Sequence, residues 1–306
     1  MLSRTPPGPR RRLLEGFWPS ARIVGLWPGL KAFGGMTVLA DRTQLTDSID
    51  ELGPLEVRFA RNAAEVREAQ RIRYQVFYRE GGAWADIATL ILRRDVDAFD
   101  SICDHLLVID NGAPRGPAVV GTYRLLRQEV AAKRGGFYSI NEFDIGALTE
   151  RHPGLRFLEL GRSCVLEPYR NKRTLELLWH GIGAYASQHA PEVMIGCASL
   201  EGTDPDRLAL QLSFLHYFAR APEPWRTYAL PDRYVEMNRM PADAIDKKAA
   251  LRELPPLIKG YLRAGAYIGE GAVIDPQFGT TDVLIVLPMS AVKSRYILHF
   301  NIGRTA

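Results

Sequence analysis

Three groups of residues carry side chains that could do chemistry. The first is Glu159-Leu160-Gly161-Arg162. On a regular strand, residues three apart point to opposite faces, so this pair would not share a cleft. A glycine between them invites a bulge, which would splay the strand, turn both side chains to one side and free a backbone N–H. A carboxylate there can take a proton from an ammonium, and the freed N–H can hold a carbonyl oxyanion. The bland reading is an internal Glu–Arg ion pair. The second group is the basic loop with Arg170, Lys172, Arg173 and Thr174, placed where a strand hands over to a helix. A helix N-terminus offers unpaired N–H groups and a positive dipole end, which suit a phosphate such as the diester of a phosphopantetheine arm. A solvated basic turn is the alternative. The third group is Asp95, Asp97 and Asp100, closely followed by Asp104. These carboxylates repel one another unless they are solvated or face a cation. A cationic amino-acid substrate would supply that cation; a plain acidic surface loop is the other reading. No GxSxG nucleophile or GxxxxGK[ST] phosphate loop is present, so direct attack by an amine on a bound thioester is favoured over an acyl-enzyme or nucleotide hydrolysis.

These groups need elements to hold them. Leu55, Val57 and Phe59 alternate with polar or small neighbours as on a half-buried strand. Asn62, with Glu65 three residues on, opens a helix bearing Val66, Ala69, Arg73, Val76 and Phe77 on one face. Residues 106–109 and 119–126 flank a stretch rich in Gly and Pro and read as an antiparallel hairpin, followed by a mobile segment at about 128–154. A strand over 156–166 precedes the basic loop, and Leu175, Leu178, Trp179, Ile182 and Ala186 follow at helical spacing. Further strands are expected at 193–200, 283–287 and 296–300, with Asp204 capping a helix that carries Leu208, Leu212, Leu215 and Phe218. Gly265, Gly269 and Gly271 read as turn and bulge glycines rather than a dinucleotide fingerprint. The resulting class is α/β of the α+β kind, a mixed central sheet flanked by helices.

Composition sets outer bounds. The 306 residues are 46% hydrophobic and 24% charged, enough for one large core or two modest ones. A net charge of +4 is far from the basic stripe of a nucleic-acid binder, so no nucleic-acid partner is expected. Cys103, Cys164 and Cys197 are too scattered for a disulfide framework, which fits a reducing cytosol. Cys103 and His105 make a lone CxH, and no HExxH occurs, so no metal is expected. No apolar run is long enough to span a bilayer. Residues 1–54 read as an extension before a domain at 55–306. Arg10 to Arg12, Phe17, Trp18 and Trp27 have the ingredients of a membrane-surface anchor, and a poorly ordered extension is the alternative.

In order along the chain, Arg73-x-x-x-Phe77, Trp84, Asp97-x-x-Asp100, Gly121-Thr-Tyr-Arg124-Leu and Glu159-x-x-Arg162 resemble the motifs of acyl-homoserine lactone synthases, members of the GNAT acyltransferase superfamily. Longer blocks, including Glu159-Leu-Gly-Arg-Ser-Cys-Val165, Leu254-Pro-Pro-Leu-Ile-Lys-Gly-Tyr-Leu-Arg263 and Phe278-Gly-Thr-Thr-Asp-Val283, are more similar to the L-ornithine Nα-acyltransferases that make lyso-ornithine lipid. The resemblance covers about residues 55–300. It implies a GNAT-like core that moves a 3-hydroxyacyl chain from acyl carrier protein to the α-amino group of ornithine. No permanently bound cofactor is implied, because the carrier delivers its own phosphopantetheine. By position it assigns Glu159 and Arg162 to catalysis and Arg73, Phe77, Trp84, Asp97, Asp100 and Arg124 to substrate binding. The phosphate loop, and an acidic carrier meeting Lys247, Lys248 and Lys259, complete the expectation, with a cytoplasmic site of action that includes peripheral contact with the inner membrane if residues 1–54 anchor there. A lactone synthase would lack the Pro-Pro-Leu-Ile-Lys-Gly-Tyr block, and a non-catalytic docking module would tolerate loss of Glu159 and Asp97.

Overall fold

A computed structural model describes residues 47–293. The N-terminal anchor reading and the strand expected at 296–300 lie outside the described residues. β1 (Asp50–Leu52) and β2 (Leu55–Phe59) form an antiparallel hairpin. The side chain of Asn62 accepts the N–H groups of Ala64 and Glu65 and starts α1 (Ala63–Arg73) where the sequence places it. Glu65 does not close a box on its cap; it turns back to the Arg61 N–H at 2.7 Å and to Arg58. The helix then widens into a π-helical turn over Tyr74–Glu80, a device that frequently marks functional sites. It carries Phe77. A short helix, α2 (Ile87–Leu92), follows.

The expected hairpin is β3 (Asp104–Asp110) with β4 (Ala118–Arg127), and β4 pairs antiparallel with β5 (Phe157–Val165). Between them lies the stretch that reads as mobile from sequence. It is packed instead: α3 (Gln128–Ala131) and α4 (Ile145–Arg151) frame buried Phe137, Phe143, Ile145 and Leu148, which cover one face of the sheet. β5 leads through the basic loop into α5 (Lys172–His189) and back to β6 (Val193–Glu201), which lies parallel to β5. This crossover is the single parallel pair among the described strands. Next come α6 (Ala209–Phe218), β7 (Tyr234–Val235), α7 (Lys247–Glu253), α8 (Pro256–Ala264), β8 (Tyr267–Ile268), β9 (Ala272–Asp275) and β10 (Thr280–Pro288). Asp204 does not cap α6. Its carboxylate accepts the Asp206 N–H in a local turn, and the helix starts after Leu208 without a side-chain cap.

Strand order is β1-β2-β3-β4-β5-β6-β10-β9-β7, with β8 also on β10. Alternation divides the core. Leu106 and Val108 face α5 with Leu177 and Ile182, while Leu107 and Ile109 face α1 with Ala69. Each such fully buried side chain is worth roughly 1.5–3 kcal/mol. No helix among the described residues is long and apolar enough to cross a membrane.

One detail of register builds the site. β5 and β6 pair only through Phe157–Glu159 and Val193–Ile195, then part company: β5 stays with β4 and β6 stays with β10. At the fork, a Cβ on Gly196 would overlap the Leu160 carbonyl oxygen, so only glycine lets the strands meet there and diverge.

Candidate active site

The fork opens into a cavity of about 570 Å³, walled by residues of β4, β5 and β6, by the π-helical turn and by the β9–β10 turn. Glu159 lies at its base, only 5% exposed. One oxygen accepts the Tyr138 N–H at 2.7 Å; the other accepts the Ser139 N–H at 2.8 Å and the Ser139 hydroxyl. Burial pushes the carboxyl pKa up, and these three donations pull it back only in part. The donors sit in the stretch that reads as mobile from sequence, so this carboxylate is held by a segment whose order comes from distant packing.

The expected bulge is present, with a different residue at its centre. Tyr123 of β4 faces both Arg162 and Ser163, and Arg162, rather than Gly161, takes the left-handed conformation at φ 50°. That backbone costs roughly 1–2 kcal/mol in a residue with a side chain. What holds it is visible. The guanidinium lies over the rings of Tyr138 and Phe278 at 4.8 and 5.0 Å and pairs with Asp95 and Asp97 at 3.2 and 3.3 Å. Burial opposes its charge, but Tyr138, Asp95 and Asp97 outweigh that and raise its pKa. Glu159 and Arg162 thus share the cavity without forming the ion pair that their spacing also allowed.

The aspartate run takes its cations from the chain itself. Arg73, wholly buried, binds Asp95 and Asp100 at 2.7 Å each, and Arg124 reaches Asp97 at 2.6 Å and Asp100 at 3.1 Å. Asp97 and Asp100 also form a capping box over residues 98–101. Burial alone would push Asp100 up, yet Arg73 and Arg124 hold it well below the carboxylate range. Asp104 is elsewhere, accepting the Tyr185 hydroxyl at 2.6 Å. Arg73, Asp97 and Asp100 are therefore off the cavity wall, whereas Arg124 and Phe77 are on it. Trp84, assigned to substrate binding by resemblance, is 69% exposed and also off the wall. His105 is buried against the Asp100 carbonyl, with its pKa pushed down to about 4.

Of the basic loop, Arg170 alone reaches the cavity, where it pairs with Glu80. Asn171 caps α5 by accepting the N–H groups of Arg173 and Thr174, so two donors expected to be open to phosphate already have a partner. Lys172 is exposed and pairs with Glu176 at 3.1 Å, one turn on. Thr174 is 1% exposed, and its hydroxyl oxygen has no partner.

A second acidic group joins two residues of one hairpin to a third far away in the sequence. Carboxylate oxygens of Glu142, Asp275 and Asp282 lie within 4.8 Å of one another, and Asp275 and Asp282 line the cavity. Cys197, on the same wall, donates to Glu142 at 3.2 Å, and Arg233 stands 3.7 Å from it. Burial, then mutual repulsion, pushes the pKa values of Glu142 and Asp282 up. Such a group can hold a cation, either a metal ion or an ammonium. Asp275 and Asp282 meet across the β9–β10 turn, a spacing readable from a hairpin; Glu142 had no local signal.

Residues 72–180, from the end of α1 through the fork strand β5 and half of α5, match the family described as acetyltransferase (GNAT) domain. An L-ornithine N(alpha)-acyltransferase of Agrobacterium fabrum (strain C58 / ATCC 33970) is 53% identical over 252 residues, 82% of this chain and 86% of that protein. The chain belongs to the L-ornithine N(alpha)-acyltransferase family. A second member, from Brucella abortus (strain 2308), is 52% identical over 255 residues, 83% of this chain and 91% of that protein. Among solved structures, FeeM, an N-acyl amino acid synthase from uncultured soil microbes, aligns at a TM-score of 0.44 with 10% identity, covering 77% of this chain and 91% of that one. Family membership makes the chain an N-acyltransferase of GNAT type, as the motifs implied.

Proposed function

We propose that this chain transfers a 3-hydroxyacyl group from the phosphopantetheine thioester of acyl carrier protein to the α-amino group of L-ornithine, giving lyso-ornithine lipid. The observation that carries the reading is one cavity holding a buried carboxylate at the fork of two strands and, elsewhere on its wall, Asp275 and Asp282, whose carboxylates group with that of Glu142 and suit a cationic side chain. The thioester enters between β5 and β6, with its carbonyl oxygen facing N–H groups of the β5 bulge. Glu159, directly or through a water, takes a proton from the ornithine α-ammonium. The amine attacks the carbonyl carbon, the C–N bond forms, the C–S bond breaks, and the proton that the attacking nitrogen sheds goes to the departing thiolate. Glu142, Asp275 and Asp282 face the side-chain ammonium. Arg170, on the cavity wall, with the side chains of Lys172 and Arg173 beside it in the loop, receives the arm's phosphate, and Lys247, Lys248 and Lys259 meet the acidic carrier, a contact that weakens with salt.

The test is to incubate purified protein with 3-hydroxyacyl carrier protein and ornithine, lysine, glutamine or glycine, then identify products by mass spectrometry. N-acyl-ornithine is expected; thiol release without an amide would overturn the reading. Glu159→Gln should lower kcat/KM by about 10²–10⁴, the usual worth of a positioned base. An unchanged value removes Glu159 from the mechanism.

A further inference from the structure

The helix α2 buries none of its residues. Ile87, Leu90, Ile91 and Leu92 are 77, 54, 75 and 47% exposed, and Trp84 and Val96 on either side are 69 and 49% exposed. Single exposed apolar side chains are ordinary, but six on one short helix and its immediate flanks are a surface waiting for a partner. Such a patch would accept another protein as readily as a lipid were it not for its charges. Arg93 and Arg94 follow the helix directly, and Arg79 precedes it. Asp86 at the helix start is the N-cap, accepting the Thr89 N–H at 2.7 Å, which keeps it ionised, so the three arginines outnumber one carboxylate beside the helix. Aliphatic side chains and a tryptophan bordered by arginines match a bilayer surface, with acyl chains below and anionic phosphates above. The place fits as well. Gly81 is on the cavity wall, and the Trp84 N–H donates to the Gln277 carbonyl at 2.7 Å, next to Phe278 of the same wall.

We infer that α2 with Trp84 is a monotopic membrane-docking face that seats the cavity rim on an anionic lipid surface. It rests on the proposed acyl transfer only in one respect: a product with a long apolar tail then leaves the cavity directly into acyl chains. The region differs from the N-terminal segment that the sequence offered for this role.

The experiment is flotation of the full chain with vesicles of phosphatidylcholine alone and with about one-third phosphatidylglycerol. The wild type should float with the anionic vesicles and lose binding in high salt. Ile87→Asp/Ile91→Asp should weaken binding at least tenfold and Arg93→Glu about fivefold. Both variants should keep the wild-type Tm, since none of these side chains is buried. Vesicle binding equal to wild type in the double variant would overturn the inference, as would a wild type that floats with neither vesicle. Weaker affinity for acyl carrier protein with intact vesicle binding would make the patch a protein-docking face, and also overturn it. Flotation needs no turnover, so failure here is distinguishable from failure of the acyl-transfer reading.

Discussion

Two acidic groups in this molecule have similar composition and opposite surroundings. Asp95, Asp97 and Asp100 are interleaved with Arg73, Arg124 and Arg162, so their charge is consumed inside the protein, and what they provide is a fixed platform for Arg162 at the β5 bulge. In the second group Glu142 meets Arg233 at 3.7 Å, and Asp275 and Asp282 border the cavity. A carboxylate cluster thus signals a cationic ligand only where the chain does not answer it first.

The largest effect that would break this contrast is at Arg73. Arg73→Leu removes the buried partner that Asp95 and Asp100 share, leaving them only Arg162 and Arg124, and should cost about 3–5 kcal/mol, read as a lower denaturation midpoint; a variant of wild-type stability would mean that the platform is not structural. Next, Asp282→Asn should raise the KM for ornithine about tenfold or more while Tm stays within a few degrees, whereas Asp95→Asn should do the reverse. Equal effects of the two on KM would erase the distinction. The pH signs also differ. Asp100 is depressed in the folded state, so its contribution is complete above the unfolded value near 3.8 and lost as pH falls below it. Glu142 and Asp282 are raised, so the folded protein loses stability as pH rises from their ordinary values of 4.5 and 3.8 through the raised ones, while a bound ammonium gains. Ornithine KM should therefore fall with rising pH across that window, and Glu142→Gln should flatten the change, the smallest of these effects.

The scaffold was legible because its signals are local. Alternation marks β2 and β5, the 3.6-residue period marks α5, and Asn62 marks the start of α1. The bulge in β5 was anticipated, although it centres on Arg162 because stacking on Tyr138 and Phe278 and pairing with two aspartates favour that residue over glycine. Distant partnerships were not legible. Arg73 is 22 residues from Asp95 and 27 from Asp100, and no periodicity links them. The segment holding Glu142 and Ser139 lacks a repeat because its apolar residues sit in separate short turns, each packed against strands far away in sequence. Asn171 as the cap of α5 changes the phosphate reading, since a side chain already satisfies two of the N–H groups on which it relied.

The central claim is that the cavity recognises an acceptor with a second positive charge through Glu142, Asp275 and Asp282. The direct measurement is kcat/KM for ornithine against norvaline, an acceptor of similar shape without the terminal amine, in wild type and in Glu142→Gln/Asp282→Asn. The account predicts a strong preference for ornithine, on the order of 100-fold, that collapses to within a few-fold in the double variant, with norvaline turnover little changed. An ornithine preference that survives the double substitution would contradict it.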